Sequence, residues 1–251
     1  MQNEKIIYDD GNHKCIVFSL DDEEVEESFL AVNQYLIIQN DSAILIDPGS
    51  QAIYKEIYDA VSRYTDIKNL KYIFYSHQDP DVAGSIGQWS VSCGAKQIVP
   101  KIWVRFMSHY GLMNFNRVIP LEDKGAKIHF GEDYLHFIPA HFLHSPGNFS
   151  LYDSRSKILF SGDIGASITH QYGAKAENVS FDEIKGSLEG FHQRYMAGNR
   201  FCRAWTQKIR QYNIQTMAPQ HGSLLSGENY EKFLNWFENL QCGGDLIKNI
   251  Y

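Results

Sequence analysis

Long apolar runs are missing from this sequence. No stretch approaches the roughly 20 consecutive apolar residues that cross a bilayer, so no membrane association is expected. The opening, Met1 to Asn12, is polar and lacks the apolar core of a secretory leader, which points to the cytoplasm. Cysteine is scarce: Cys15, Cys93, Cys202 and Cys242 are scattered and form no CxxC pair. A chain of 251 residues does not need disulfide staples. All four therefore read as reduced thiols, each packed as a small buried hydrophobe. Positive charge is in deficit, with 23 Lys and Arg against 30 Asp and Glu and a net charge of −7. Such a chain is a poor coat for a phosphate backbone, and sequence-independent nucleic-acid binding is not expected. There is no internal repeat and no Pro/Gly/Ser-rich linker. What is present is 43% hydrophobic and 14% aromatic residues, enough for a sizeable core. There are also ten histidines, and histidine is the commonest metal ligand.

Strand and helix signals alternate. Lys14–Leu20, Val32–Gln39 and Ala43–Ile46 are short and rich in Val, Ile, Tyr and Phe, as strands are. The acidic run Asp21 to Glu27 between the first two reads as a solvated insertion. Asp47-Pro48-Gly49 is a turn, and Ser50–Tyr64 carries Ile53, Ile57, Ala60 and Val61 at helical spacing. Tyr72–Tyr75 reads as a buried strand, with a helix from Val82 or Ala83 toward Ser92. A strand at Gln97–Pro100 and a helix at Lys101–Tyr110 follow. Strands are expected at Lys127–Phe130, Tyr134–Pro139, Phe149–Tyr152, Lys157–Ser161 and Thr216–Ala218. Helices are expected at Phe181–Tyr195, Arg200–Tyr212 and Asn229–Leu240, the last presenting Tyr230, Phe233, Leu234, Trp236, Phe237 and Leu240 as a core face. The order implies a layered α/β arrangement with helices outside packed sheets.

Metal-capable residues gather where these strands end. His77, Asp79 and Asp81 follow Tyr72–Tyr75, His144 follows Tyr134–Pro139, Asp163 follows Lys157–Ser161, and His221 follows Thr216–Ala218. Strand ends are rigid, and the loops that leave them commonly carry sites. In His77-Gln78-Asp79-Pro80-Asp81, three potential ligands alternate within five residues, an arrangement that suits two neighbouring metals. Asp-Pro-Asp is equally good turn chemistry, and Asp81 suits the cap of the helix that follows. The two roles are compatible.

The ordered set Asp47-Pro48-Gly49, His77-Gln78-Asp79-Pro80-Asp81, His144, Asp163 and His221 resembles the metallo-β-lactamase superfamily. Its order and spacing look most like the diiron domain of flavodiiron proteins, which reduce O2 or NO. The resemblance spans roughly residues 14 to 240. It implies a four-layer αββα sandwich with the site at one edge. It also implies two metals, one held by His77, Asp79, His144 and Asp163, the other by Asp81, Asp163 and His221, with Asp163 bridging and Asp47 supporting the ligands through hydrogen bonds. Asp79 selects the branch: hydrolytic zinc relatives usually have histidine there. A carboxylate-rich, thiolate-free set favours two iron ions over zinc, with manganese also compatible.

Two departures shape the functional expectation. Val82 stands where the family usually has a histidine ligand, so the second metal keeps an open position or takes His141 or His170, both of which also read as ordinary loop residues. The flavodiiron family also carries a flavodoxin domain, whereas this chain shows no phosphate-cradling loop for FMN, so no flavin is expected. Ligand positions from His77 to His221 require most of the chain to fold together, and residues 1–251 are expected to form one domain. The resemblance then implies a cytoplasmic non-haem diiron protein that binds O2 or NO. It would act as a gas or redox sensor read by a signalling partner, similar to stand-alone oxygen-binding diiron proteins of bacterial signalling, or as a reductase fed by an external electron donor. A homodimer is one option. The rival reading is a binuclear metallohydrolase acting on thioesters or phosphodiesters.

Overall fold

The computed structural model describes residues 2–20, 32–167 and 180–250. The acidic run and His170 lie outside the described residues. Seven strands form the first sheet in sequence order: β1 (Gln2–Asp9), β2 (His13–Leu20), β3 (Asn33–Gln39), β4 (Ser42–Ile46), β5 (Leu70–Phe74), β6 (Lys96–Pro100) and β7 (Val118–Leu121). The first four pair antiparallel, and β4 through β7 pair parallel. The second sheet has β8 (Ala126–Phe130), β9 (Asp133–Pro139), β10 (Phe149–Asp153), β11 (Ile158–Gly162), β12 (Thr216–Pro219) and β13 (Leu225–Ser226), in the order β13-β12-β11-β10-β9-β8. Only β11 and β12 are parallel in it.

Side-chain alternation along the strands builds the layers. On β2, Val17 points between the sheets while Ile16 and Phe18 point outward, as the period of two requires. Between the sheets, Tyr35, Ile37, Ile44 and Phe74 from the first meet Phe137, Phe149, Leu151 and Phe160 from the second. The outer face of the first sheet is covered by α1 (Tyr54–Tyr64), α2 (Pro80–Ala83) and α3 (Ile86–Ser92) through Ile57, Val61, Val82, Ile86 and Trp89. The outer face of the second is covered by α4 (Phe181–Tyr195), α5 (Asn199–Ile209) and α6 (Glu228–Glu238) through Leu188, Trp205, Ile209, Phe233 and Phe237. This is the expected αββα sandwich. Among the described residues, no helix is long and apolar enough to cross a membrane.

Several local features add to the expectations or correct them. The polar opening of the chain is a strand: β1 pairs with β2, because an edge strand needs only backbone partners and tolerates polar side chains. The 101–110 helix is of the 3-10 type, and the helix expected toward Ser92 is broken into α2 and α3 at Gly84-Ser85. There Ser85 N–H and Oγ both donate to the Gly49 carbonyl. Strands β7 and β13 carry too few residues to show a pattern. Cys93 is only partly buried, unlike the other three thiols.

The opposite edge of the sandwich from the site is closed by a polar staple. His13 Nε2 and Asp153 Oδ2 are 2.7 Å apart, both buried, joining β2 to β10 across the two sheets. Burial opposes the Asp153 charge, but His13 and Ser156 hold the carboxyl below its ordinary range.

Candidate metal centre

Strands β4, β5, β9, β11 and β12 all end at one edge, and each is followed by a polar residue. After β4, Asp47 takes a left-handed backbone conformation with φ 49°. Its N–H donates to the Phe74 carbonyl, and its Oδ1 accepts from Ser76 N–H at 2.7 Å. Burial pushes the Asp47 carboxyl up to about 6, against the opposing pull of Ser76 and His77. Ser76 Oγ sits 2.9 Å from His77 Nδ1, which leaves Nε2 to face the site. The Ser76 hydroxyl thus sets the ring, as the outer hydrogen bonds of metal-binding histidines do.

The next residues turn into α2, with Pro80 at its first position, where no N–H is needed. Asp79 occupies the N-cap but makes no capping bond. Its Oδ1 instead accepts from Gln78 Nε2 at 2.7 Å. Gln78 is held in turn by Ser145, which donates to its Oε1 at 2.6 Å, and Trp103 donates to Ser145 at 3.1 Å.

The loop after β9 delivers His144. Its ring lies edge-on to His77, with centroids 5.1 Å apart, and packs beside Phe191 and Tyr195 of α4. The turn after β12 delivers His221. That turn is tied to the first sheet by Asn33, which donates to the carbonyls of Pro219 and Gly222, and by Tyr35, which donates to Pro219. At Gly222, where φ is 85°, a Cβ would collide with the Ser167 hydroxyl, so only glycine fits there.

Asp163 lies between two groups. Its Oδ2 is 2.6 Å from His144 Nε2 and 3.5 Å from His77 Nε2. Asp79 Oδ2 is 3.5 Å from His144 Nε2 and 3.7 Å from His77 Nε2. The other oxygen, Oδ1, is 3.5 Å from His221 Nε2, which is 3.3 Å from Asp81 Oδ2. Burial alone would raise the Asp163 carboxyl, yet His77, His144 and His221 hold it well below the usual carboxylate range. Burial opposes charge on His77, but Asp163 and Asp79 raise it well above ordinary histidine. Despite this crowding, His77 Nε2 and Asp163 Oδ1 have no hydrogen-bond partner and are sealed from solvent. Unpaired buried polar atoms are costly and rare.

All six residues singled out by sequence converge on this edge. Val82 lies in the core, and His141 bonds outside the cluster. Val82 is fully buried in the apolar cluster of the first sheet, because neighbouring residues on a helix point about 100° apart and Asp81 takes the direction of the site. His141 Nε2 bonds the Asp123 carbonyl at 2.8 Å. His170 is not among the described residues.

Sequence reasoning missed the support from His192. This ring is fully buried on α4. Its Nδ1 bonds the Leu188 carbonyl at 2.7 Å, and its Nε2 accepts from Gly165 N–H at 3.0 Å, which holds the turn after Asp163. Burial pushes this histidine down to about 4. Its spacing of four and eight residues from Leu188 and Ile184 on the buried helix face was the available signal.

Histidines and carboxylates at one edge of an αββα sandwich define a carboxylate-rich protein of the metallo-β-lactamase type. Residues 30–222 match the family described as ODP family beta lactamase, and the chain belongs to that family. It is 37% identical to the chemotaxis sensor ODP from T. denticola, solved in an apo state, with a TM-score of 0.87 and 100% of each chain covered. A structure described as the peroxy diiron species of chemotaxis sensor ODP is 36% identical, with a TM-score of 0.87 over 99% of this chain and 100% of that one. A flavo di-iron protein of Thermotoga maritima, solved as a mutant, shares the fold at 22% identity, with a TM-score of 0.76 over 95% of this chain and 61% of that one. Diflavin flavoprotein A 1 of Synechocystis is 24% identical over 214 residues, which are 82% of this chain but only 36% of that protein. An uncharacterized protein of Methanocaldococcus jannaschii is 26% identical over 215 residues, and this chain spans 53% of it.

Proposed function

We propose that this chain is a non-haem diiron protein that binds O2 and works as a gas sensor. The observation that carries the reading is the division of Asp163: its two oxygens face two separate groups of histidine and carboxylate. The residues fit two cations. The orphaned His77 Nε2 and Asp163 Oδ1 aim into the cluster. Ligand atoms about 2.1 Å from one ion stand about 3.0–3.4 Å apart, close to the 3.3–3.7 Å separations of most of these pairs. Hard oxygen donors and no thiolate suit iron or manganese better than zinc.

His77, Asp79, His144 and Asp163 would hold one ion, and Asp81, Asp163 and His221 the other. Bound iron would supply the electrons and the coordination that O2 requires. The chain's own contribution is to fix the ligands. Ser76 and Asp47 set His77, Gln78 sets Asp79, and His192 sets the turn of Asp163. Val82 adds no ligand, which leaves the second ion fewer protein donors than the first. A sensor reading is supported by near full-length likeness to the chemotaxis sensor ODP. We place this activity in the cytoplasm, within one domain, with a signalling partner reading the changed surface.

Metal analysis and stopped-flow mixing test the proposal. Protein loaded with ferrous iron without air should hold about two iron ions per chain and form a long-lived oxygen-dependent absorption band. Rapid reoxidation with sustained donor-linked O2 consumption would replace the sensor by a reductase. Tight retention of zinc with no uptake of iron, together with zinc-proportional thioester hydrolysis, would overturn the diiron reading.

A further inference from the structure

Away from the metal centre, tertiary folding brings together two cysteines that are 40 positions apart. Cys202 on α5 and Cys242, just beyond α6, place their sulfurs 3.7 Å apart, and both residues are fully buried. Disulfide sulfurs stand about 2.05 Å apart, so closure asks for an approach of about 1.7 Å.

The surroundings give the two sulfurs different chemistry. Cys242 begins a short 3-10 helix (Gly243–Leu246), where the Asp245 N–H donates to the Cys242 carbonyl at 3.0 Å and the Asp245 carboxylate accepts from the Cys242 N–H at 3.2 Å. One S–H···S hydrogen bond joins the two sulfurs. That hydrogen bond holds Cys242 below the ordinary thiol range, while it and burial push Cys202 up.

The turn that carries Cys242 is linked to the metal centre. Gly244 N–H donates to the Ala197 carbonyl at 2.9 Å, and Ala197 N–H donates to the Phe142 carbonyl at 3.1 Å. Phe142 lies two residues before His144. Gly243 presses on the same junction: a Cβ there would collide with the Met196 carbonyl oxygen. A movement of Cys242 toward α5 is therefore delivered to a junction with no slack.

We propose that Cys202 and Cys242 are a hydroperoxide-responsive dithiol whose closure to a disulfide bears on the loop that carries His144. The Cys242 thiolate attacks one oxygen of hydrogen peroxide. The O–O bond breaks, hydroxide leaves, and the sulfur becomes a sulfenic acid, oxidised by two electrons. The Cys202 sulfur then displaces the sulfenic oxygen, which leaves as water with the Cys202 proton. Two thiols and one peroxide give one disulfide and two waters. Thiol reductant restores the pair. The inference rests on the dithiol and its hydrogen bonds and holds whichever metal the cluster takes.

The folded, full-length protein is treated with stoichiometric hydrogen peroxide, alkylated after unfolding, digested and mapped by mass spectrometry. The expected product is a Cys202–Cys242 cross-link, reversed by dithiothreitol, with Cys15 and Cys93 still alkylated. Hydrogen exchange of the backbone at 140–145 should change on oxidation. Cys202→Ser should stop at a dimedone-trappable sulfenic acid on Cys242, and Cys242→Ser should leave Cys202 reduced. If either variant fails to fold, the mapping of the natural chain decides alone. Cys202 and Cys242 staying reduced while Cys93 is oxidised overturns the dithiol. A disulfide with unchanged exchange at 140–145 overturns its link to the His144 loop.

Discussion

Replacing His192 by phenylalanine tests how the fold holds Asp163. The ring is enclosed by Phe191, Phe233, Trp236 and Phe237, so the aromatic walls accept phenylalanine. What is lost is the Nε2 acceptor of the Gly165 N–H, 3.0 Å away. A buried donor left without a partner costs about 1–3 kcal/mol, and we expect about 2 kcal/mol at pH 7.5. The pH dependence adds a second test. Burial lowers His192 from 6.5 to about 4, so the fold holds the neutral ring. Its contribution is complete above the unfolded value and is lost as pH falls from about 6.5 toward 4, because the unfolded chain takes up the proton first. That window is worth at most about 3 kcal/mol. Asp47, raised to about 6, works in the opposite direction over part of the range, so the natural chain alone does not isolate His192. The difference between natural chain and variant does. Urea unfolding of metal-free protein should show the variant weaker by about 2 kcal/mol at pH 7.5, with the gap closing or reversing near pH 4.5. Metal affinity of the variant should fall about 10–100-fold. A gap that stays constant with pH refutes a neutral, accepting His192. An unchanged metal affinity refutes its role in positioning Asp163.

Val82→His should not supply the ligand that the family pattern lacks. The side chain at 82 enters the apolar cluster with Trp89 and Ile86. Burying an imidazole there costs about 1–3 kcal/mol, so a lower melting temperature with unchanged metal content is expected, and an added metal equivalent would contradict this account. Asp153→Asn removes the buried charged acceptor of His13 and Ser156 at the far edge. It should lower stability by about 3 kcal/mol in urea melts while leaving metal content unchanged, and a loss of metal would show that the two edges are coupled.

The strand pattern, the turn at Asp47-Pro48-Gly49 and the polar residues at strand ends were legible because they are local. Alternation sets which face of a strand is buried, and a strand end is marked by the residues beside it. This is why the layered fold could be anticipated, while the convergence of His77, Asp79, Asp81, His144, Asp163 and His221 was implied by the family resemblance that their order carries. Short edge strands such as β7 and β13 left no pattern, since their partners are set by neighbours far along the chain.

Three matters belong to tertiary structure alone. The direction of Val82 depends on the turn of α2 against the first sheet, which sends Asp81 to the site and its neighbour into the core. The role of His192 depends on α4 packing across the turn after Asp163, 27 residues away. The four cysteines looked unrelated in sequence, and only the docking of the segment after α6 onto α5 brings Cys202 and Cys242 into contact. The sequence by itself determined which residues could bind a metal and roughly where each would stand. The fold decided which atoms face one another, because orientation is fixed by packing and hydrogen bonds between segments that the sequence keeps apart.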